Sequence, residues 1–245
     1  MDRKELGASL RQVGLKSGDT VFVHSSLKAL GPVEGRADAV LDAFLDVLRP
    51  DGHLIVPTHS WATVNDLQPV FHQTHTPSTV GVLTNKVRLM SGTFRSLHPT
   101  HSVAALGPRA EIFCAGHELD DTPCSPRSPY ARLCDWNGKV VLLGVDLRRC
   151  TLFHCFEEMA GEAATLGIEP QIRYLIRADG SELQIHYRGH WGHTSDHYDR
   201  VEGALLAEGI MTKTPLGQGE IRVLDARKAK NYLVPLLQKD PRFFA

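Results

Sequence analysis

Four short segments of this 245-residue chain carry residue types that could do chemistry. In Thr151-Leu152-Phe153-His154-Cys155-Phe156-Glu157, a helix would place His154 and Glu157 at i and i+3, on one face. A carboxylate beside an imidazole raises its basicity and fixes its tautomer, as a general base requires; a plain surface contact is the other reading. Glu158 points elsewhere on that helix and serves as the comparison with no assigned role. His117-Glu118-Leu119-Asp120 supplies a further imidazole next to acids. Between Arg95 and Gly107, His98, Thr100, His101 and Ser102 put two imidazoles and two hydroxyls before the small residues Val103 and Ala104. A flat or extended ligand could lie against that backbone, or the histidines could be satisfied core residues. His24-Ser25-Ser26-Leu27-Lys28 leaves a strand with hydroxyls, backbone N–H groups and one cation. That is a cradle for phosphate oxygens or an ordinary strand-to-loop turn.

The elements that must position these residues alternate between strand and helix. Asp19 to His24 reads as a buried strand, and Arg36 to Leu48 as a helix with an apolar stripe stopped by Pro50. His53 to Pro57 is the next strand, followed by a polar loop from about Thr58 to Pro77. Ser78 is placed as the N-cap of a helix reaching about Met90. Ser102 to Gly107 is a strand, with a helix near Pro108 to Ala115. Lys139 to Val145 is a continuous apolar run suited to a sheet covered on both faces, and Thr151 opens a helix towards Ala160. After Gly167, Ile172 to Ala178 and Glu182 to Arg188 flank Asp179-Gly180, a hairpin signal. A helix from about Ser195 to Ala207, short strands and a closing helix complete the chain. The fold class is α/β: a central mostly parallel sheet flanked by helices, with an antiparallel portion in the C-terminal third.

Composition narrows the function classes. Hydrophobic residues make up 42% and charged residues 22%, ordinary globular usage. With 27 basic and 28 acidic residues the net charge is −1, so no global field would collect nucleic acid. The opening residues are charged and no stretch suits a membrane span, so the expected address is the cytoplasm, away from membranes. The cysteine count of five is odd and no pair is spaced CxxC, which argues against disulfides and a Cys-type zinc site. Walker, GxGxxG and GxSxG motifs are absent from the sequence.

The runs HSSLKALGPVEG (His24 to Gly35), HPTHSVAALGPRAE (His98 to Glu111), GHELD (Gly116 to Asp120), SPYARL (Ser128 to Leu133) and TLFHCFEE (Thr151 to Glu158) resemble the aminoglycoside 3-N-acetyltransferase family in order and spacing. Asp196 to Ile210 is similar to that family's ending, so the resemblance spans nearly the whole chain. It implies one domain over 1–245, divisible near 165, and acetyl transfer from acetyl-CoA to an amine of an aminoglycoside-like compound without a metal. It implies catalytic duty for His117 and Glu157, with His154 and His101 beside them. It also implies coenzyme contacts from His24, Ser25, Ser26, Leu27, Lys28, His98, Ser102, Val103, Ala104 and Thr151. A homodimer is the expected assembly.

The acceptor region departs from the family pattern. The loop from Trp61 to Pro77 should receive the amine, through Trp61, Asp66, His72 and His75, with Asp120 from another segment. An acid more often follows the family's Phe, where this chain has Phe71-His72. Asp66, with Asp120 and Asp121 on another segment, is thin for a polycation, which points to a smaller or less cationic amine such as an amino sugar or a metabolite. His186, His190, His193 and His197 have offsets that could ligate zinc; an aromatic and polar pocket wall, or plain surface, is the other reading.

Overall fold

A computed structural model describes residues 1–161, 166–190 and 194–244. Ten strands and eight α-helices follow one another along the described chain. The helices are α1 (Arg3–Gln12), α2 (Arg36–Leu48), α3 (Val82–Arg88), α4 (Ala110–Cys114), α5 (Pro129–Asp135), α6 (Leu152–Ala160), α7 (Glu202–Ala207) and α8 (Ala226–Lys239). The first strands are β1 (Thr20–Ser25), β2 (His53–Pro57), β3 (Val70–His72), β4 (Thr93–Arg95), β5 (Val103–Leu106) and β6 (Lys139–Leu143). After them come β7 (Gln171–Ile176), β8 (Glu182–Tyr187), β9 (Met211–Leu216) and β10 (Gly219–Asp225).

Seven strands form the main sheet in the order β4-β5-β2-β1-β6-β10-β9. β1 pairs in parallel with both β2 and β6, while the pairings of β5 and β10 with their neighbours are antiparallel. Only β5 and β10 therefore run against the other strands, and the sheet is mostly parallel in direction. Alternation along β1 explains the layers. Val21 and Val23 face a core with Leu6, Leu10, Val40 and Phe44 of α1 and α2, whereas Phe22 faces one with Phe113, Tyr130, Phe153 and Leu233. Each such fully buried side chain contributes about 1.5–3 kcal/mol.

A second sheet, β3-β7-β8, holds a small core of Val64, Phe71, Leu97, Leu175, Ile185 and Tyr187. The β7–β8 hairpin forms as its Asp179-Gly180 turn indicates. The parallel pairing of β3 with β7 brings the Thr58–Pro77 loop into the same layer, while β9 and β10 return to the main sheet. The chain beyond residue 165 thus serves both sheets. Two helices start or break otherwise than the sequence indicates. Gly81, not Ser78, precedes α3; the Ser78 hydroxyl accepts from the Thr84 hydroxyl (2.8 Å). The segment after Thr194 is 3-10 to Val201 before α7 begins.

One buried cation ties the two sheets together. Arg95 at the end of β4 donates from Nε to the Thr58 and Ser102 hydroxyls (3.1 Å each). Its Nη atoms donate to the carbonyls of Gln73, Thr76 and Thr58, and the guanidinium lies 4.7 Å from the Phe71 ring centroid. Every acceptor is neutral, so burial pushes this group down to about 9. Arg95→Met would leave the Gln73 and Thr76 carbonyls without this donor, while the Thr58 carbonyl keeps the Ser102 hydroxyl; an unsatisfied buried polar group costs about 1–3 kcal/mol. We expect a stability loss of roughly 3 kcal/mol or more, read as a fall in the urea midpoint; an unchanged midpoint would mean that water replaces the guanidinium.

Candidate active site

The exits of the three adjacent parallel strands converge on one cavity of about 460 Å³, as expected for ligands of open α/β sheets. His24, Ser25 and Ser26 line it from the end of β1, and Pro57, His59 and Trp61 from the end of β2. Arg148, Arg149 and Thr151 line it after β6, with His154 from α6 and Tyr198 from the 3-10 segment before α7. Thr79 and Thr84 close it ahead of and on α3. Gly144 lets the β6 exit pass close to β1. Its φ is +68°, and a Cβ there would stand 2.7 Å from the Ser26 carbonyl oxygen.

His154 is held by two partners. Its Nδ1 lies 3.1 Å from Glu157 Oε2 and 2.6 Å from the Tyr198 hydroxyl, which itself donates to Glu157 Oε2 (2.6 Å). With Nδ1 engaged, Nε2 is the nitrogen without a protein partner among the described residues, and the residue lines the cavity. The i, i+3 spacing of His154 and Glu157 produces this geometry. Tyr198 completes it from 41 residues further along the chain than Glu157, a distance at which nothing in the sequence pairs it with the helix.

Six of the 13 histidines form one continuous chain of ring contacts. His117 stacks near His98 (centroids 4.6 Å), His98 meets His101 (5.9 Å), and His101 meets both His59 (4.8 Å) and His190 (6.2 Å). His190 in turn lies 4.5 Å from His154. Burial dominates this interior. It takes His24, His59 and His190 down to about 3 and His117 to about 4, and holds His98 and His101 well below the usual imidazole range. Burial likewise keeps the Tyr130 phenol neutral. Its hydroxyl donates to the His101 carbonyl (3.0 Å), so the contact with His59 Nε2 (2.9 Å) is a donation from the imidazole N–H to the phenol oxygen.

Several of the expected site residues lie away from this cavity. His117 is fully buried between the Ser96 hydroxyl (Nδ1, 2.9 Å) and the Pro123 carbonyl (Nε2, 2.8 Å), so both nitrogens are spent and it does not reach the cavity. His98 is equally buried, its Nδ1 accepting from the backbone of Thr100 and His101. Ser102 belongs to the Arg95 clamp, and Val103 and Ala104 are sealed inside the sheet, so none of the three is open to a coenzyme. Leu27 and Lys28 turn into a neighbouring cavity of about 680 Å³, shared with Arg36 and Lys86. On the acceptor side, Asp66 pairs with Arg173 (2.8 Å) and Asp120 with Arg127 (3.6 Å). His72 and His75 face each other on an outer turn (4.1 Å) and do not line the cavity. Trp61, His101 and Thr151 do line it, with His24, Ser25 and Ser26. Glu157 stands behind His154.

Glu158 is the opposite correction, from no role to a buried one. It accepts from Thr122 Oγ1 (2.5 Å) and the Cys124 backbone N–H (3.1 Å), and contacts His190 Nε2 (2.7 Å). Burial pushes its carboxyl up to about 7 against those hydrogen bonds. Cys124, Glu158 and His190 bring potential ligand atoms within 4.8 Å of one another, but here the imidazole and carboxyl bond each other directly. Of the late histidines, His186 is exposed beside Gln184 and His190 lies against Glu158, while His193 lies outside the described residues.

A family model described as aminoglycoside 3-N-acetyltransferase matches residues 22–238. Aminoglycoside N(3)-acetyltransferase VII of Streptomyces paromomycinus is 36% identical, over 97% of this chain and 91% of that protein. Among solved structures, AAC-IIIb with CoASH bound superposes with a TM-score of 0.85 at 26% identity, covering 98% and 97% of the two chains. AAC(3)-IVa, in a histidine-to-alanine variant complexed with a gentamicin, gives 0.86 at 27% identity, covering 99% and 90%. A match of this extent at both levels leaves one conclusion: the chain belongs to the aminoglycoside 3-N-acetyltransferase family.

Proposed function

We propose that this protein transfers acetyl from acetyl-CoA to an amino group of an aminoglycoside or related amino-sugar acceptor, with His154 as general base. The observation that carries the reading is the His154–Glu157–Tyr198 cluster facing the cavity at three strand exits. Aminoglycosides are the acceptors named for its relatives, and the solved relative with CoASH supports the coenzyme.

The residues fit an extended coenzyme. The Ser25–Lys28 turn separates the two cavities, with Ser25 and Ser26 facing one and Leu27 and Lys28 the other. A long ligand crossing that turn would lay its phosphates near Lys28 and Arg36 and its reactive end beside His154. Acetyl-CoA supplies a thioester whose carbonyl carbon accepts the amine. An ammonium has no lone pair to attack with, so a base must take its proton first. His154 Nε2 receives that proton, while Glu157 and Tyr198 hold the ring through Nδ1 and stabilise the imidazolium that forms. That first proton passes on to solvent; on attack the nitrogen turns cationic, Nε2 takes its second proton and gives it to the departing thiolate, so the products are amide, thiol and one released proton. Neutral His59 and His101 line the amine side and offer lone pairs without adding positive charge. The five cysteines are free and buried, and burial raises their thiols, so none is assigned as an acyl carrier. The proposed compartment is the cytoplasm; among the described residues no helix is long and apolar enough to cross a membrane.

Thiol release from acetyl-CoA in the presence of aminoglycosides, amino sugars and small amines tests the reading. Amine-dependent release is the expected result. Failure both to bind acetyl-CoA and to release thiol with any amine would sink it.

A further inference from the structure

Two consecutive acids of α6 reach the same imidazole by different routes. Glu157 meets His154 directly at Nδ1. Glu158 meets His190 instead, with Oε1 2.7 Å from its Nε2. The His190 ring lies over His154, the centroids 4.5 Å and the planes 31° apart. On another side it meets His101, at 6.2 Å and 63°. His190 is thus wedged between two imidazoles that line the strand-exit cavity. The wedge is anchored at each joint. Glu158 accepts from the Thr122 hydroxyl and the Cys124 N–H. The backbone around His190 is tied down as well. The Arg188 N–H donates to the Asp121 carbonyl (2.7 Å), the Gly167 N–H donates to the Gly189 carbonyl (2.9 Å), and His190 bridges to Leu166. The Glu158 and His190 side chains are 7% and 6% exposed.

His154 needs such support. The second side-chain torsion of a histidine is broad, and Glu157 and Tyr198 both grip the ring at Nδ1. Two contacts at one edge leave the ring plane free to tilt, which would swing Nε2 away from the amine. A second ring fixed against the face of His154 opposes that tilt. Burying a carboxyl to fix it is costly, as the rise of Glu158 to about 7 shows, and strongly shifted groups gather where catalysis needs them. Resting on the acetyl-transfer reading above, we propose that Glu158 and His190 are positioning residues for the base: the Glu158 carboxyl fixes the His190 ring, and that ring holds the His154 imidazole in its reactive orientation. Neither lines the strand-exit cavity, so each acts through its neighbour.

The test is steady-state thiol release from acetyl-CoA with the aminoglycoside or amino sugar that turns over fastest. Each rate is divided by the fraction of protein that binds coenzyme, so that unfolded molecules do not count. His190→Ala and Glu158→Ala should each lower kcat by about tenfold and leave the KM of acetyl-CoA unchanged. The double variant should lose no more than His190→Ala alone, because the carboxyl acts through the ring. Glu158→Gln, which keeps an acceptor for His190, should stand several-fold above Glu158→Ala. Where an alanine variant does not fold, His190→Phe and His190→Leu both fill the space, and the flat ring should exceed the branched chain in kcat by about fivefold. Losses that multiply in the double variant would overturn the inference. So would a kcat for His190→Ala within a factor of about three of the parent, or equal rates for the Phe and Leu variants. In each of those cases turnover by the unmodified protein leaves the acetyltransferase standing. Failure of the unmodified protein to bind acetyl-CoA and to release thiol with any amine would overturn both.

Discussion

His154→Ala is expected to lower kcat for amine acetylation by about 10²–10⁴-fold, the usual worth of a positioned general base. Acetyl-CoA affinity should change little, because the deleted group faces the reacting nitrogen and not the coenzyme turn at Ser25–Lys28. Tyr198→Phe removes one of the two groups at Nδ1 and leaves Glu157 in place (3.1 Å), so a smaller loss in kcat should follow. His117→Ala separates this assignment from the one the sequence favours. Among the described residues His117 hydrogen-bonds Ser96 and Pro123 and packs on neighbouring rings, so its loss should reduce thermal stability while the remaining folded enzyme keeps its kcat. A kcat for His154→Ala within a factor of about three of the parent would move the base elsewhere, as would a His117 variant that folds normally but is inactive.

The contrast between these two histidines shows what the sequence carries. His154 and Glu157 are three residues apart on a helix, and helical geometry alone brings them together. The strands are legible for a similar reason: β1, β2 and β6 are short apolar runs buried on both faces, and their exits mark the site. His117 sits in a 3-10 turn of three residues, too short for any periodicity to report its burial. Glu158 leaves the His154 face, and helical spacing alone gives it nothing to do. Its partners Thr122, Cys124 and His190 lie 36, 34 and 32 residues away in sequence, and only the tertiary fold turns that second face inward. Ser102 is misread through the same kind of long-range event, since its hydroxyl meets Thr58 and Arg95 inside the sheet. Contacts within one helical turn are legible; those closed by sheet registry are not.

Stability is expected to fall steeply as pH drops below about 6.5, well before ordinary carboxylates titrate. His24, His59 and His190 have folded values near 3 and His117 near 4, with His98 and His101 shifted the same way. In the unfolded chain each returns to about 6.5. Between those limits the unfolded state binds more protons, so the histidine contribution is fully present above 6.5 and is lost as pH falls. Each site then costs about 1.4 kcal/mol per pH unit, and three together roughly 4 kcal/mol. Glu158 opposes this. Its folded value near 7 lies above the unfolded 4.5, so its contribution is complete below 4.5 and lost as pH rises through 7. One opposing group offsets one histidine, and the remaining two, at roughly 3 kcal/mol per pH unit, consume the lower end of a typical 5–15 kcal/mol within about two pH units. Urea midpoints measured from pH 8 to pH 4 should therefore decline from about 6.5 downward. In Glu158→Gln the opposing contribution is gone, so the decline between 6.5 and 5 should steepen by about 1.4 kcal/mol per unit. Midpoints that stay level to pH 5 would show that the imidazole chain takes up protons without unfolding, and the neutral histidine interior would have to be abandoned.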